Sequence, residues 1–244
     1  MLKMSSRRTI RKYSGREVSS SLLHELLEEA EHTQTMGNLQ LYSVVVTRSE
    51  EQKKRLMPAH FGQPMVLAPV VLTFCADYRR TTDWCTLRKA HPGYDNFLSF
   101  LNATTDALLY CQTFCQLAEE RGLGLCFLGT TIYNPAQIIE VLQLPKLVMP
   151  VATITLGWPD ENPAPSDRLP LQAIIHEETY QPYSPERIDS LYNNKEQLPE
   201  NQEFVRVNHK ETLAQVFTDL RYTRKDCEAM SASFLEVLKR QEFL

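Results

Sequence analysis

The chain has 244 residues, 26 Lys and Arg against 30 Asp and Glu, a formal charge of −4, and 43% hydrophobic residues. This is the balance of an ordinary globular protein with enough chain for a substantial core, and an isoelectric point near 5.9 argues against a general nucleic-acid binder, which needs a basic surface. Only 8 glycines occur, under half the ordinary share of ~7%; this disfavours folds that grip a nucleotide with repeated glycine-rich turns and leaves room for a phosphate held by arginine side chains.

The most apolar stretches, residues 66–76 and 147–158, are too short for a membrane span, and each contains a proline. The N-terminal run to Arg8 turns basic without an apolar segment, so no secretory signal is predicted. The six cysteines (75, 85, 111, 115, 126 and 227) form no CxxC pair and read as reduced thiols of a cytoplasmic protein. Cys111 and Cys115 share an apolar helix face, and no metal site is predicted.

In chain order, serines 19–21 cap a helix whose stripe is Leu22, Leu23, Leu26, Leu27 and Ala30. Residues 41–47 form a β-branched strand, 50–57 a charged surface helix and 70–76 a buried strand after Pro69. Residues 104–121 are apolar on most faces, which predicts a helix buried nearly all round, in a core or an oligomer interface. A short strand follows at 125–128, then a helix starting at Asn134-Pro135 and ending by Leu144-Pro145. Residues 151–158 read as a strand, 159–170 as a proline-rich loop and 173–176 as a last short strand. Residues 181–208 read as polar and irregular, and helices at about 209–220 and 225–240 close the chain. Strands separated by helices indicate an α/β or α+β sheet domain.

Five segments could carry chemistry. Arg7, Arg8, Thr9 and Arg11 concentrate three guanidiniums and a hydroxyl, which suits a dianionic phosphate; a solvated basic start to the chain is the other reading. Thr35, Asn38 and Gln40 lie in a helix–strand junction able to hydrogen-bond a heterocycle or a polyol, or to serve as a plain turn. Gly62-Gln63 precedes a strand, and Leu128-Gly129-Thr130-Thr131 follows one, where a small residue lets backbone approach a ligand. Arg168 stands alone in a loop. The six histidines (24, 32, 60, 91, 176 and 209) are scattered and read as structural or solvent-exposed. No triad, paired carboxylates or Cys/His dyad stands in a recognisable motif, so no catalytic side chain is assigned.

Together these segments resemble the FMN-dependent nitroreductases, in their NADPH-nitroreductase and flavin-reductase branch. Arg8-Thr9-Ile10-Arg11 matches the R-[ST]-[IV]-R element, and the junction from Thr35 to Gln40 matches a serine-rich stretch ending in L-Q. Gly62-Gln63 and Phe74-Cys75-Ala76-Asp77 match the G-Q and F-C-A-D elements, and Gly122 to Gly129 matches G-L-G-x-x-x-[IL]-G. The run from Leu156 to Pro170 matches L-G-W-P-x-[ED]-N-P…R-L-P, and that from His176 to Pro182 matches H-E-x-x-Y-Q-P. The likeness spans about residues 5–185. Where the branch often has glycine then arginine after Gly129, this chain has Thr130, Thr131 and Ile132; where it often has a lysine before the loop arginine, this chain has Ser166.

The resemblance implies an α+β nitroreductase-like fold, with a central mixed, mostly antiparallel sheet flanked by helices, in an intertwined homodimer. It implies a single domain over residues 1–244, with a core of about 5–180 and a variable C-terminal extension. Arg7, Arg8, Thr9 and Arg11 would hold the FMN phosphate and ribityl oxygens, with Arg168 reaching the same phosphate. Gln63, Leu128 and Gly129 would contact the isoalloxazine edge, and Thr35, Asn38 and Gln40 would come from the neighbouring subunit. Hydride would pass from NADPH or NADH through flavin N5 to a nitroaromatic, quinone or flavin acceptor by ping-pong turnover, the flavin performing the chemistry. A flavoenzyme of the same fold that does not reduce nitro groups, or a flavin-binding sensor, would share the fold. Neither a nucleic acid nor a membrane is an expected partner.

Overall fold

The structure, a computed structural model, describes residues 4–244; residues 1–3, the start of the basic N-terminal run, lie outside the description. Two compact units are present, one made of the chain up to Pro165 with Met230–Leu244, the other of Ser166–Ala229.

The first unit is built on β1 (Tyr42–Thr47), β2 (Val70–Asp77), β3 (Gly124–Leu128) and β4 (Val148–Gly157), in the order β1-β2-β4-β3. Every neighbouring pair is antiparallel, so the sheet expected to be mixed has no parallel pair among the described residues. The two central strands, β2 and β4, are buried at every position and are mostly apolar without a polar face, their exceptions being the buried Thr73, Asp77, Thr153 and Thr155. β4 starts three residues before its predicted start. Pro150 does not end it, because the ladder shifts register between Phe74 and Cys75, where the missing amide is tolerated.

Among the described residues, five α-helices of this unit precede β4: α1 (Ser20–Ala30), α2 (Glu50–Leu56), α3 (Arg79–Leu87), α4 (Phe97–Glu120) and α5 (Pro135–Leu142). The Ser19 hydroxyl caps α1 by accepting from the Leu22 amide, and Asn96 caps α4 through the Ser99 amide at 3.0 Å. Side chains alternate across the sheet with period two. Val70, Leu72 and Phe74 join the cluster of α1 and α4, whereas Val71, Cys126 and Leu128 pack with Leu56 and Ile138 of α2 and α5. The sheet is therefore covered on both faces.

α4 differs from expectation. It buries Phe100, Ala103, Ala107, Tyr110 and Phe114 but leaves Leu98, Leu101, Leu108 and Leu109 at least 40% exposed. One apolar face is covered by the chain and the other is not.

The second unit contains a single turn at Leu171–Ala173 where a strand was expected. Pro170 precedes it, and among the described residues no strand pairs with it. Residues 181–208, expected to be irregular, hold α6 (Pro185–Glu196) and α7 (Pro199–Val207). Ser184 caps α6 by accepting from the Arg187 amide, and a proline occupies the first turn of each helix, where its missing amide costs nothing. The helix expected at 209–220 shortens to α8 (Leu213–Val216), followed by a wide π turn at Phe217–Arg221. α9 (Arg224–Arg240) follows, its part from Met230 onward belonging to the first unit. No helix among the described residues is long and apolar enough to cross a membrane, and no group of three or more His, Cys, Asp or Glu there is arranged to hold a metal ion.

Candidate functional site

The N-terminal segment through Ser14 lies as a strap along the β3 edge of the sheet. The Ile10 amide donates to the Leu125 carbonyl at 3.0 Å, the Ser14 amide to the Trp158 carbonyl at 2.8 Å, and Asp160 returns an amide to the Lys12 carbonyl. Ile10 is buried against Gly124, where an added Cβ would lie 2.7 Å from its side chain. The Tyr13 hydroxyl donates to the Ile10 carbonyl and pairs with Thr155 Oγ1 at 2.6 Å. Burial raises the Tyr13 pKa, so the phenol remains a neutral anchor.

An extended strap alternates its side chains, which splits the predicted phosphate set. Arg7, Thr9 and Arg11 line one cavity of about 500 Å³ with Leu125 and Phe127 of β3 and Gln112 of α4. Arg8 turns instead to Asn162, to whose side-chain oxygen its guanidinium donates. Two residues without a sequence-assigned role complete the arrangement. The Glu161 carboxylate accepts from the Arg11 amide at 2.5 Å and the Lys12 amide at 3.0 Å, which lowers its pKa. Glu161-Asn162 is the acid–amide step of the motif between Leu156 and Pro170, so two motifs some 150 residues apart meet here.

Electrostatically the strap is short of anions. Arg7 Nη1 lies 3.5 Å from Glu119, whose pKa is raised by burial and held back by that same arginine. Neither Arg8 nor Arg11 forms an ion pair among the described residues, and Arg8 Nε is buried with no partner. A buried, unsatisfied guanidinium nitrogen beside two further arginines fits an anionic ligand.

Arg11 also borders a second cavity, of about 380 Å³, with Pro64 and Met65, the residues that follow Gln63. The Gln63 side-chain amide makes no hydrogen bond to the described residues, and its backbone amide donates to the His60 carbonyl at 3.1 Å. His60 in turn bonds Thr130 at 2.8 Å, beside Leu128 and Gly129. The structure therefore brings the strap, the Gln63 segment and the end of β3 together.

Thr35, Asn38 and Gln40 sit elsewhere. Their turn precedes β1, at the sheet edge opposite β3, three strand spacings or roughly 14 Å away. Gly37, Asn38 and Gln40 adopt positive φ. The buried Asp106 carboxylate on α4 holds the turn by accepting from the Met36 amide at 2.8 Å and the Leu41 amide at 3.2 Å. Neither cavity bordered by the strap is lined by Thr35, Asn38 or Gln40. Arg168 belongs to the second unit, where it is exposed and donates to its own loop carbonyl at Asp167, 2.7 Å away. Lys195 pairs with Asp167 at 2.7 Å and Arg206 with Glu203.

The family model described as Nitroreductase family matches residues 4–158, from the strap through β4. The chain belongs to the nitroreductase family. It is similar to the NAD(P)H FMN reductase of Bacillus subtilis, at 32% identity over 182 residues and 72% of each protein. Its likeness to the oxygen-insensitive NADPH nitroreductase of Salmonella typhimurium is 31% over 194 residues, 79% of this chain and 78% of that one. Among solved structures, a Bacteroides fragilis protein with only a provisional oxidoreductase label superposes with a TM-score of 0.96 and 59% identity, over 98% of this chain and 97% of that one. The NADPH:FMN oxidoreductase of Vibrio harveyi, solved with NAD+, superposes at 0.74 and 25% identity, covering 88% of this chain and 93% of that one.

Proposed function

We propose that this nitroreductase-family chain is a cytoplasmic FMN-dependent oxidoreductase. It takes hydride from NADPH or NADH and reduces small oxidants (nitroaromatics, quinones or free flavin) by ping-pong turnover in a homodimer. The observation that carries the reading is the strap: three guanidiniums held by backbone bonds to β3 and to residues 158–160, two of them without a carboxylate partner among the described residues. The names of the relatives supply the cofactor class that this basic site suits.

When bound, FMN supplies the hydride-accepting and hydride-donating centre. The chain's own residues bind and orient. Arg7 and Arg11, which share a cavity, neutralise the phosphate, Arg8 joins them by turning from Asn162, and Thr9 offers its hydroxyl to the ribityl chain. Gln63 offers a free amide, and Leu128 and Gly129 offer backbone at the ring edge. Thr35, Asn38 and Gln40 complete the site from a second copy of the chain, a reading supported by their distance from the strap within one chain.

The test is cofactor binding by the double variant R8A/R11A. Each charge-assisted bond is worth about 1.5–3 kcal/mol, so the variant should purify colourless while wild type is yellow. Stoichiometric flavin in R8A/R11A would remove the strap from the phosphate. Stopped-flow bleaching by NADPH against NADH, followed by a panel of oxidants, then identifies donor and acceptor; bleaching by neither donor points to a flavin-binding sensor.

A further inference from the structure

One buried histidine has no part in that reading, and its bonds run between two of the segments the reading uses. His60 is wholly buried. It ends a short helical turn, Met57–His60, and is followed by Phe61 and Gly62 at φ of 54° and 71°. Two successive left-handed residues reverse the chain sharply, and for phenylalanine that conformation is costly. The reversal is held by the Phe61 amide on the Pro58 carbonyl (3.0 Å), the Gly62 amide on the Met57 carbonyl (2.9 Å) and the Gln63 amide on the His60 carbonyl (3.1 Å).

The His60 side chain faces the other segment. Nδ1 lies 2.8 Å from Thr130 Oγ1, and Nε2 is buried without a partner among the described residues. Thr130 follows Gly129 directly and is itself buried. The same turn is closed by Thr131 Oγ1 donating to the Leu128 carbonyl at 2.9 Å and by the Tyr133 amide donating to the Thr130 carbonyl at 3.1 Å. His60 is thus bonded to Gln63 through its backbone and to the Gly129 turn through its ring.

We infer that His60 is a positioning residue. Its bond to Thr130 locks the Gln63 segment to the Gly129 turn, so that the free amide of Gln63 and the backbone at Gly129 are held at a fixed separation for the heteroaromatic edge of the cofactor. The inference rests on the FMN reading above. Desolvation lowers the His60 pKa to about 4, so the ring stays neutral and serves as a strut, not as a proton carrier.

The experiment titrates FMN into wild type, T130V and T130S, following flavin fluorescence and the shape of the visible bands, with urea unfolding measured alongside. T130V should bind FMN about fivefold more weakly, the order of the cost of fixing one loosened side chain on binding, and with altered band shape; T130S should bind within twofold of wild type. A T130V that is less stable but binds FMN like wild type reduces the pair to packing and overturns the inference. So does a T130S as weak as T130V, since the hydroxyl would then not be the active group. If T130V does not fold, T130A takes its place, and wild-type affinity in T130A overturns the inference in the same way. Wild type that takes up no FMN overturns the FMN reading itself, and this inference with it.

Discussion

His60 has a consequence that does not depend on any ligand. Its ring is neutral in the fold down to about pH 4 but takes a proton near 6.5 in the unfolded chain. Between those values the unfolded state binds more protons, so stability is present in full above about pH 6.5 and is lost as pH falls toward 4. From pH 7 to pH 5 the loss should be about 2 kcal/mol by this linkage. Glu50, Glu161, Glu203 and Asp219, all lowered, weaken the fold only below their ordinary range. Glu119, raised by burial, acts in the opposite direction. Urea unfolding of wild type and H60Q at both pH values isolates the histidine: the difference should shrink in H60Q, and an unchanged difference would assign the slope to other groups. Sequence alone could not single out this residue. Six histidines are scattered along the chain, and none carries a spacing that marks burial. What distinguishes His60 is a contact with Thr130, seventy positions away. Glu161 and Asn162 were visible as part of a motif, but their role as anchors of the strap needed the fold.

At the scale of the element, the strap depends on missing side chains. Gly124 and Gly157, two of only eight glycines, leave space for Ile10 and for Tyr13 with Pro69. G124A would drive a methyl into Ile10 at a distance real contacts do not reach. It should destabilise the protein by about 1–3 kcal/mol, the usual cost of overpacking, and weaken FMN binding as the strap lifts. The double variant G124A/I10G removes every Ile10 side-chain atom that the new methyl would meet, Cβ included, so its loss should be smaller than the sum of the single losses; simple additivity in a urea double-mutant cycle would locate the strain elsewhere. Elements with strong periodicity or strong caps were legible in the sequence: α1, β1, β2 and α5 fall close to their predicted places. α3 was missed because only Thr81 and Cys85 of its nine residues are buried, leaving no apolar stripe to read. α6 and α7 were passed over for their polarity, although Ser184-Pro185-Glu186 carries a cap, a first-turn proline and an acidic first turn.

For the molecule as a whole, the feature that one chain leaves unresolved is the outer face of α4. Leu98, Leu101 and Leu109 are 40–66% exposed, and Leu108 of the same helix lines the strap cavity. Apolar side chains repeated along one helix face are costly to leave in water, each fully covered leucine being worth about 1.5–3 kcal/mol. The turn carrying Thr35, Asn38 and Gln40 lies at the opposite sheet edge from the strap and lines neither strap cavity, which suits a site that a second copy of the chain completes. The two observations converge on one prediction. Wild type should sediment at twice the 28.1 kDa chain mass, and L98E/L101E, which sets four charges against each other across a twofold contact, should sediment as a single chain. Flavin should leave with the partner, because the turn would no longer be supplied to the strap. A monomeric L98E/L101E that kept stoichiometric FMN would show that one chain suffices for the site, and Thr35, Asn38 and Gln40 would then lose their assignment while the strap kept its own.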